Sequence, residues 1–192
     1  MYVMTTDQQR SRREPDRVPG AIEALSGIHT VRTFDRTAGD EFQAVLDDVD
    51  DVISAVVILA ELGGWSIGIG IGDVEQPLPA QTRAGRGQAF ERARVAVTDA
   101  KRAPYPVSVV GSDDDATTAA RTAVRLLYLV VSERSPAGRA AVAQMRRDGT
   151  QSEAAARLGI TPQAMSQRLR TANWHLEEDT RMLAADLLRS AG

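Results

Sequence analysis

The sequence predicts an α+β protein: an N-terminal α/β sandwich followed by an all-α C-terminal domain. Three observations carry this. Through residues 1–110, short apolar runs with two-residue alternation are interleaved with stretches of helical periodicity. Residues 111–115, Gly-Ser-Asp-Asp-Asp, are small, acidic and patternless, as a linker is. Beyond them every segment reads as helix. The expected domains are therefore 1–111 and 116–192.

In chain order, residues 2–6 form a short apolar strand ending at Asp7. A polar stretch, 8–16, leads to a short helix at 18–25 that Gly27 stops. Strands at 30–35 and 42–46 flank Thr37-Ala-Gly-Asp40, whose turn chemistry makes them a hairpin. An apolar helix, 52–62, closes on Gly63-Gly64, and 65–74 is a strand with strict alternation. The proline-rich segment 76–82 and Gly85-Arg-Gly87 form a loop before a helix at 88–102 and a last strand at 107–110. This order predicts a mostly antiparallel sheet with helices on one face.

After the linker, 116–133 is a helix with Val124, Leu127, Tyr128 and Val131 on one side. Ser135 caps the next, with Pro136 in its first turn, running to residue 147. A final amphipathic helix, 176–190, carries Met182, Leu183, Leu187 and Leu188.

Between them, residues 150–170 read as a helix-turn-helix. Thr150 with Glu153 makes a capping box, and Gly159 supplies the left-handed residue that ends the first helix. Thr161 caps the second helix and Pro162 suits its first turn. Leu158, Ile160, Met165 and Leu169 fall at spacings that bury one seam, and Ala155 lets the helices cross closely. Gln163, Ser166, Gln167 and Arg170 are left facing outward, a stripe that suits base edges and phosphates. The plainer alternative is a helical hairpin with a solvated face. Residues 134–172 hold seven arginines against Asp148 and Glu153, a net of +5, whereas residues 1–115 carry a net of −7. A basic tail on an acidic body suits a DNA-binding module.

The chain has 192 residues, 43% of them hydrophobic, enough for a real core. It has no cysteine, which excludes disulfides and thiolate metal sites. No apolar run reaches the ~18 residues a membrane span needs, and the N-terminus has no signal-peptide pattern. The expectation is a cytoplasmic protein with no membrane partner.

Asp7 and Asp40 stand out in the first domain. If their strands are neighbours, both carboxylates lie at one sheet edge, where they could hold divalent ions and, through them, phosphates. Alternatively Asp40 is an ordinary hairpin tip and Asp7 a helix cap. In Gly64-Trp-Ser-Ile-Gly-Ile-Gly-Ile-Gly72 the isoleucines point one way, and Gly68, Gly70 and Gly72 leave the other face bare. Something must pack against that backbone: a ligand ring, another strand or a second copy. Arg83, Arg86 and the start of the helix at 88 are candidate phosphate contacts, or else a solvated loop.

The order of Asp7, the hairpin Ala38-Gly-Asp-Glu-Phe42, Ser66-Ile-Gly-Ile-Gly70 and the helix Phe90-Glu-Arg-Ala-Arg-Val-Ala-Val-Thr-Asp-Ala-Lys101 resembles that of class III nucleotide cyclases and GGDEF diguanylate cyclases. With its Asp-x-x-x-Ser-Arg start and terminal helix-turn-helix, the whole chain resembles the SatD-like family of bacterial DNA-binding regulators. The resemblance implies a cyclase-like (ferredoxin-like) fold, with Asp7 and Asp40 as the metal carboxylates and Glu41 as the acidic neighbour. Residues 8–11, Gln-Gln-Arg-Ser, lack the cyclase pattern, and the region before the hairpin has room for one helix where the enzymes have two. The implied domain is thus degenerate: it senses a small ligand, such as a nucleotide with or without Mg²⁺, or mediates dimerisation, and requires no cofactor.

The function expected is a transcriptional regulator acting as a homodimer on double-stranded DNA. Gln163 and Gln167 read bases, Arg170 meets guanine or phosphate, and Ser166 and Thr161 meet phosphates. Thr150 and Gln151 approach the DNA backbone from the preceding helix, and Arg168 contributes there or reaches back to the protein. The rivals are a metal-dependent nucleotide cyclase with a regulatory tail and a protein-interaction module without DNA.

Overall fold

The computed structural model describes residues 1–147 and 149–192. It is a mixed α/β structure built on one five-stranded sheet. The strands are β1 (Tyr2–Gln8), β2 (Arg32–Ala38), β3 (Glu41–Leu46), β4 (Trp65–Ile71) and β5 (Val107–Val110), in the order β2-β3-β1-β4-β5. β1 pairs antiparallel with β3 and with β4, β2 pairs antiparallel with β3, and β4–β5 is parallel. Helices α1 (Val18–Ala24), α2 (Val49–Leu62) and α3 (Gln88–Ala100) belong to this half of the chain. A parallel pair needs a crossover, and α3 supplies it between β4 and β5.

Register sorts the side chains by face. Met4, Phe42, Ala44, Ile67, Ile69 and Val109 share one face and pack with α2 in the main core. Val3 and Val45 face the other way, under Leu78, Ala89, Phe90 and Ala93. The sheet is therefore covered on both faces, correcting the expectation of helices on one. The bare backbone of β4 is what makes room for the second layer. A Cβ on Gly68 would collide with Val97 N and Ala93 O of α3, and one on Gly70 with Ala89 O and Ala93 N. α3 meets the strand with a small underside of Ala89, Ala93, Ala96 and Ala100, all buried.

Four further helices are α4 (Asp114–Ser132), α5 (Pro136–Met145), α6 (Gln151–Arg157) and α7 (Pro162–Thr171), and the chain closes on α8 (Trp174–Ser190). The expected linker is short, because Asp113 already caps α4 by accepting from Ala116 N at 2.8 Å. Gly111 is wedged against Ala191 and donates to Thr117 Oγ1 at 3.1 Å. α8 runs back along α4 to end at that point, and Val124, Leu127, Val131, Ala184 and Leu188 lie in the same core as the sheet. Residues 111–115 thus mark a change of element type but no break in packing between the sheet and α4 or α8. α5, α6 and α7 share a core of their own: Ala141, Val142, Ala154, Ala155, Met165, Leu169 and Ala172, rimmed by Leu158, Ile160 and Trp174.

α8 also turns differently from its predicted apolar face. Ala184, Ala185 and Leu188 are inside, whereas Met182 and Leu183 are about half exposed. The alanines let α8 approach α4 and α2 closely, which pushes the bulkier pair outward.

An ion cluster joins the α5–α7 unit to the body. The Arg134 side chain is 1% exposed and its Nη2 lies 2.7 Å from Glu177 Oε2, while Nη1 lies 3.7 Å from Glu61 Oε1. Both terminal nitrogens make these ionic approaches without a well-aligned hydrogen bond. Arg146 completes the cluster, donating to Glu61 Oε1 at 2.7 Å and to Glu177 Oε1 at 2.8 Å. Arg134 Nε also donates to the carbonyl of Ala172, the C-cap of α7, at 2.9 Å. No described helix is long and apolar enough to cross a membrane.

Candidate functional sites

The α6–α7 pair is built as its sequence dictates. The Thr150–Glu153 capping box is closed in both directions, and Gly159 sits at φ 64. Thr161 Oγ1 accepts from Ala164 N at 3.2 Å, with Pro162 in the first turn. Met165 and Leu169 are buried, which fixes the opposite side of α7 outward. Gln163, Gln167 and Arg170 are exposed there, Ser166 and Arg168 are half-buried, and none of the five side chains hydrogen-bonds to another described residue.

Two expected backbone contacts change character. The Thr150 hydroxyl is held within the capping box, 3.0 Å from Glu153 Oε2, and Gln151 Nε2 donates to Pro162 O at 3.3 Å. The Thr150 side chain is committed to its own helix and that of Gln151 ties α6 to the start of α7, so neither stands free. The charge count needs a similar correction. Arg134 is buried, and Arg146, though partly exposed, is paired with Glu61 and Glu177, so neither is a free charge on the outward face. The surface charge rests on Arg139, Arg147, Arg157, Arg168 and Arg170.

The second site lies at the C-terminal end of β1. The strand runs on to Gln8, so Asp7 lies within it, opposite Glu41 of β3 and Ser66 of β4. The β1–β3 pairing brings Asp7 and Asp40 together, and Gln8 N donates to Asp40 O at 3.1 Å. Both line a cavity of about 1220 Å³. Lys101, the sole lysine of the sequence, extends from just past α3 and places Nζ 2.6 Å from Asp7 Oδ2. Burial pushes the Asp7 carboxyl above its ordinary range; Lys101 offsets part of that and Asp40 adds to it.

The turn after β1 forms the cavity rim. Gln8, itself buried, donates to Pro15 O at 2.8 Å and accepts from Arg17 N at 2.8 Å. Arg17 in turn donates to Leu62 O and Gly63 O, with its guanidinium 5.6 Å from the Trp65 ring centroid. Inside this clamp Arg10 adopts φ 57, a left-handed conformation that costs a non-glycine residue about 1–2 kcal/mol. Its carbonyl accepts from Arg13 N and Glu14 N, closing the turn.

The other proposed ligand residues do not converge here. Glu41 accepts from Thr37 Oγ1 at 2.7 Å, and Gly68 and Gly70 lie beneath α3. Arg83 and Arg86 are exposed near the start of α3, whereas Lys101 follows its last turn, about 20 Å away at ~1.5 Å per residue. At that helix end Ala89 N donates to Asp73 O at 3.1 Å and Phe90 N to Gly87 O at 3.1 Å.

The donor set does not fit a divalent ion as it stands. Lys101 occupies Asp7, Glu41 is turned to Thr37, and no group of three potential metal ligands occurs among the described residues. Lys101, Tyr105, Tyr128 and the arginines at 10, 12 and 13 were not legible as site residues. Their shared cavity depends on contacts between segments as far apart in the chain as Arg10 and Tyr128. A comparison with protein-family models, curated proteins and solved structures found no match to this chain.

Proposed function

We propose that the chain is a cytoplasmic DNA-binding transcriptional regulator of SatD-like type. α6 and α7 act as its helix-turn-helix, and the cyclase-like body binds a small ligand or mediates dimerisation. The observation that carries this reading is the outward ridge of α7. Gln163, Gln167 and Arg170 are exposed and uncommitted, on a helix whose other side is locked by Met165 and Leu169. Side-chain amides and guanidinium groups at this spacing suit adenine and guanine edges in a major groove. Thr161 and Ser166 would meet the flanking phosphates.

The double variant Gln167→Ala/Arg170→Ala tests it. Loss of two base or phosphate contacts should weaken binding to selected genomic fragments by about 2–6 kcal/mol, at ~1–3 kcal/mol each. Binding should also fall steeply with salt, because phosphate neutralisation releases counterions. Unchanged affinity in fluorescence anisotropy would remove α7 as the reading element.

A homodimer on a pseudo-palindromic site follows from the small footprint of one such module. The glycine-faced strand is unavailable for the contact because α3 covers it. Leu176 and Leu183, seven residues apart on α8 and each about half exposed, supply an apolar stripe instead. Sedimentation of Leu176→Glu/Leu183→Glu should give a monomer where the parent gives a dimer. A parent that sediments as a monomer at micromolar concentration would count against this arrangement.

A further inference from the structure

The cavity at the end of β1 shares a wall with the segment that carries the α5–α7 unit. Tyr128, Leu129, Ser132 and Glu133, from the last turns of α4 and its C-cap, line it. The next residue is Arg134, whose buried guanidinium holds the C-cap carbonyl of α7. A second link starts on the same wall, since Ser132 O accepts from Arg139 Nη1 of α5 at 3.4 Å.

We propose that this cavity binds a phosphate-bearing organic anion without a divalent metal, and that its occupancy resets the α5–α7 unit through Ser132, Glu133 and Arg134. The reset has regulatory meaning only on the DNA-binding reading of α7; the site itself does not depend on it.

Charge selects the ligand's head. Lys101 already balances Asp7, which leaves Arg10, Arg12 and Arg13 facing Asp40 and Glu133. None of those three arginines has an acidic partner or a side-chain hydrogen bond among the described residues. They sit on a turn already shaped by the Gln8 clamp and the left-handed Arg10, so little ordering is left to the ligand. Guanidinium groups grouped in this way favour phosphate oxygens. The same cavity has apolar and aromatic lining that suits a flat ring: Pro104, Tyr105, which is 42% exposed, Pro106 and the buried Tyr128. The volume, about 1220 Å³, accommodates a head and a ring together. Lys101 Nζ, 2.6 Å from Asp7, supplies the positive charge a metal would otherwise bring.

The test uses the full chain in EDTA, with inorganic pyrophosphate and adenosine diphosphate as probes. Calorimetry should show both binding, the diphosphate with the ring more tightly. Lys101→Gln and Arg12→Ala/Arg13→Ala, all at exposed or half-exposed side chains, should each weaken binding about tenfold or more. Hydrogen exchange should slow at 128–134 and also change at 172–177 when a probe is bound. Failure of both probes to bind, binding that requires Mg²⁺, or binding indifferent to these substitutions overturns the site. Binding with exchange at 172–177 unaltered overturns the coupling. An altered 172–177 segment in a protein that retains no DNA supports the coupling and removes the DNA-binding reading of α7 alone. Where DNA is retained, its affinity should shift about fivefold or more on saturation with adenosine diphosphate.

Discussion

Gly70→Val should leave almost no folded protein. The new Cβ would meet Ala89 O and Ala93 N, backbone atoms of α3 that cannot rotate away. Either α3 lifts from β4 or the sheet bends, and both lose the burial of Ala89, Phe90 and Ala93. A cost above about 4 kcal/mol is expected, most of the margin of an ordinary domain. Urea unfolding followed by circular dichroism checks it. Gly27→Ala is the control, since a Cβ there meets nothing within 4 Å, and it should leave the midpoint unchanged. A stable, cooperative Gly70→Val protein would mean that α3 does not lie where we place it.

That strand also shows what the sequence made legible. Alternating glycines announced that something approaches the backbone of β4, and the helical pattern at 88–102 announced α3 independently. Joining them needed the observation that Ala89, Ala93, Ala96 and Ala100 fall on one side of that helix. Without it, a ligand, a strand and a second copy remained equal candidates. The caps at Thr150, Gly159 and Thr161 were readable for the opposite reason, because each is a bond within a few residues of chain.

Glu177→Ala should destabilise the protein by about 3–5 kcal/mol, because it strands the buried Arg134 guanidinium without its nearest counter-charge. The double replacement Arg134→Met/Glu177→Leu should recover most of that loss, since an apolar pair of similar size removes the charge and its partner together. Acid should mimic the single variant. Burial alone would push the Glu177 carboxyl up, but Arg146 and Arg134 outweigh it and hold the group below its ordinary value. A depressed folded-state value means the stabilisation is complete above the unfolded glutamate range. It drains away as pH falls from there through the folded value. Chemical denaturation of parent and variant between neutral pH and the acid range should therefore show curves that converge towards low pH. Parallel curves would mean that Glu177 is not ionised in the folded state.

This cluster was invisible in the sequence. Residues 61, 134, 146 and 177 are individually ordinary surface types, and their pairing depends on how α8 returns along α4. The same long-range closure hid the division of the fold. A patternless acidic segment at 111–115 looked like a domain linker, but it is the tight start of a helix that completes the sheet's core. At the β1 end, the pairing of β1 with β3 meets the condition on which Asp7 and Asp40 would share an edge, a condition the sequence left open, while Lys101 and the Arg10–Arg13 turn came into view only with α3 in place.

The central claim is that α7 reads duplex DNA. The most direct measurement is to equilibrate the 192-residue chain with a pool of random duplexes at low salt, recover the bound fraction and sequence it. The account predicts enrichment of a short two-fold-symmetric motif, with a linear fall of log affinity against log salt. A bound fraction no different from the input pool, or no retention of DNA at all, would contradict it.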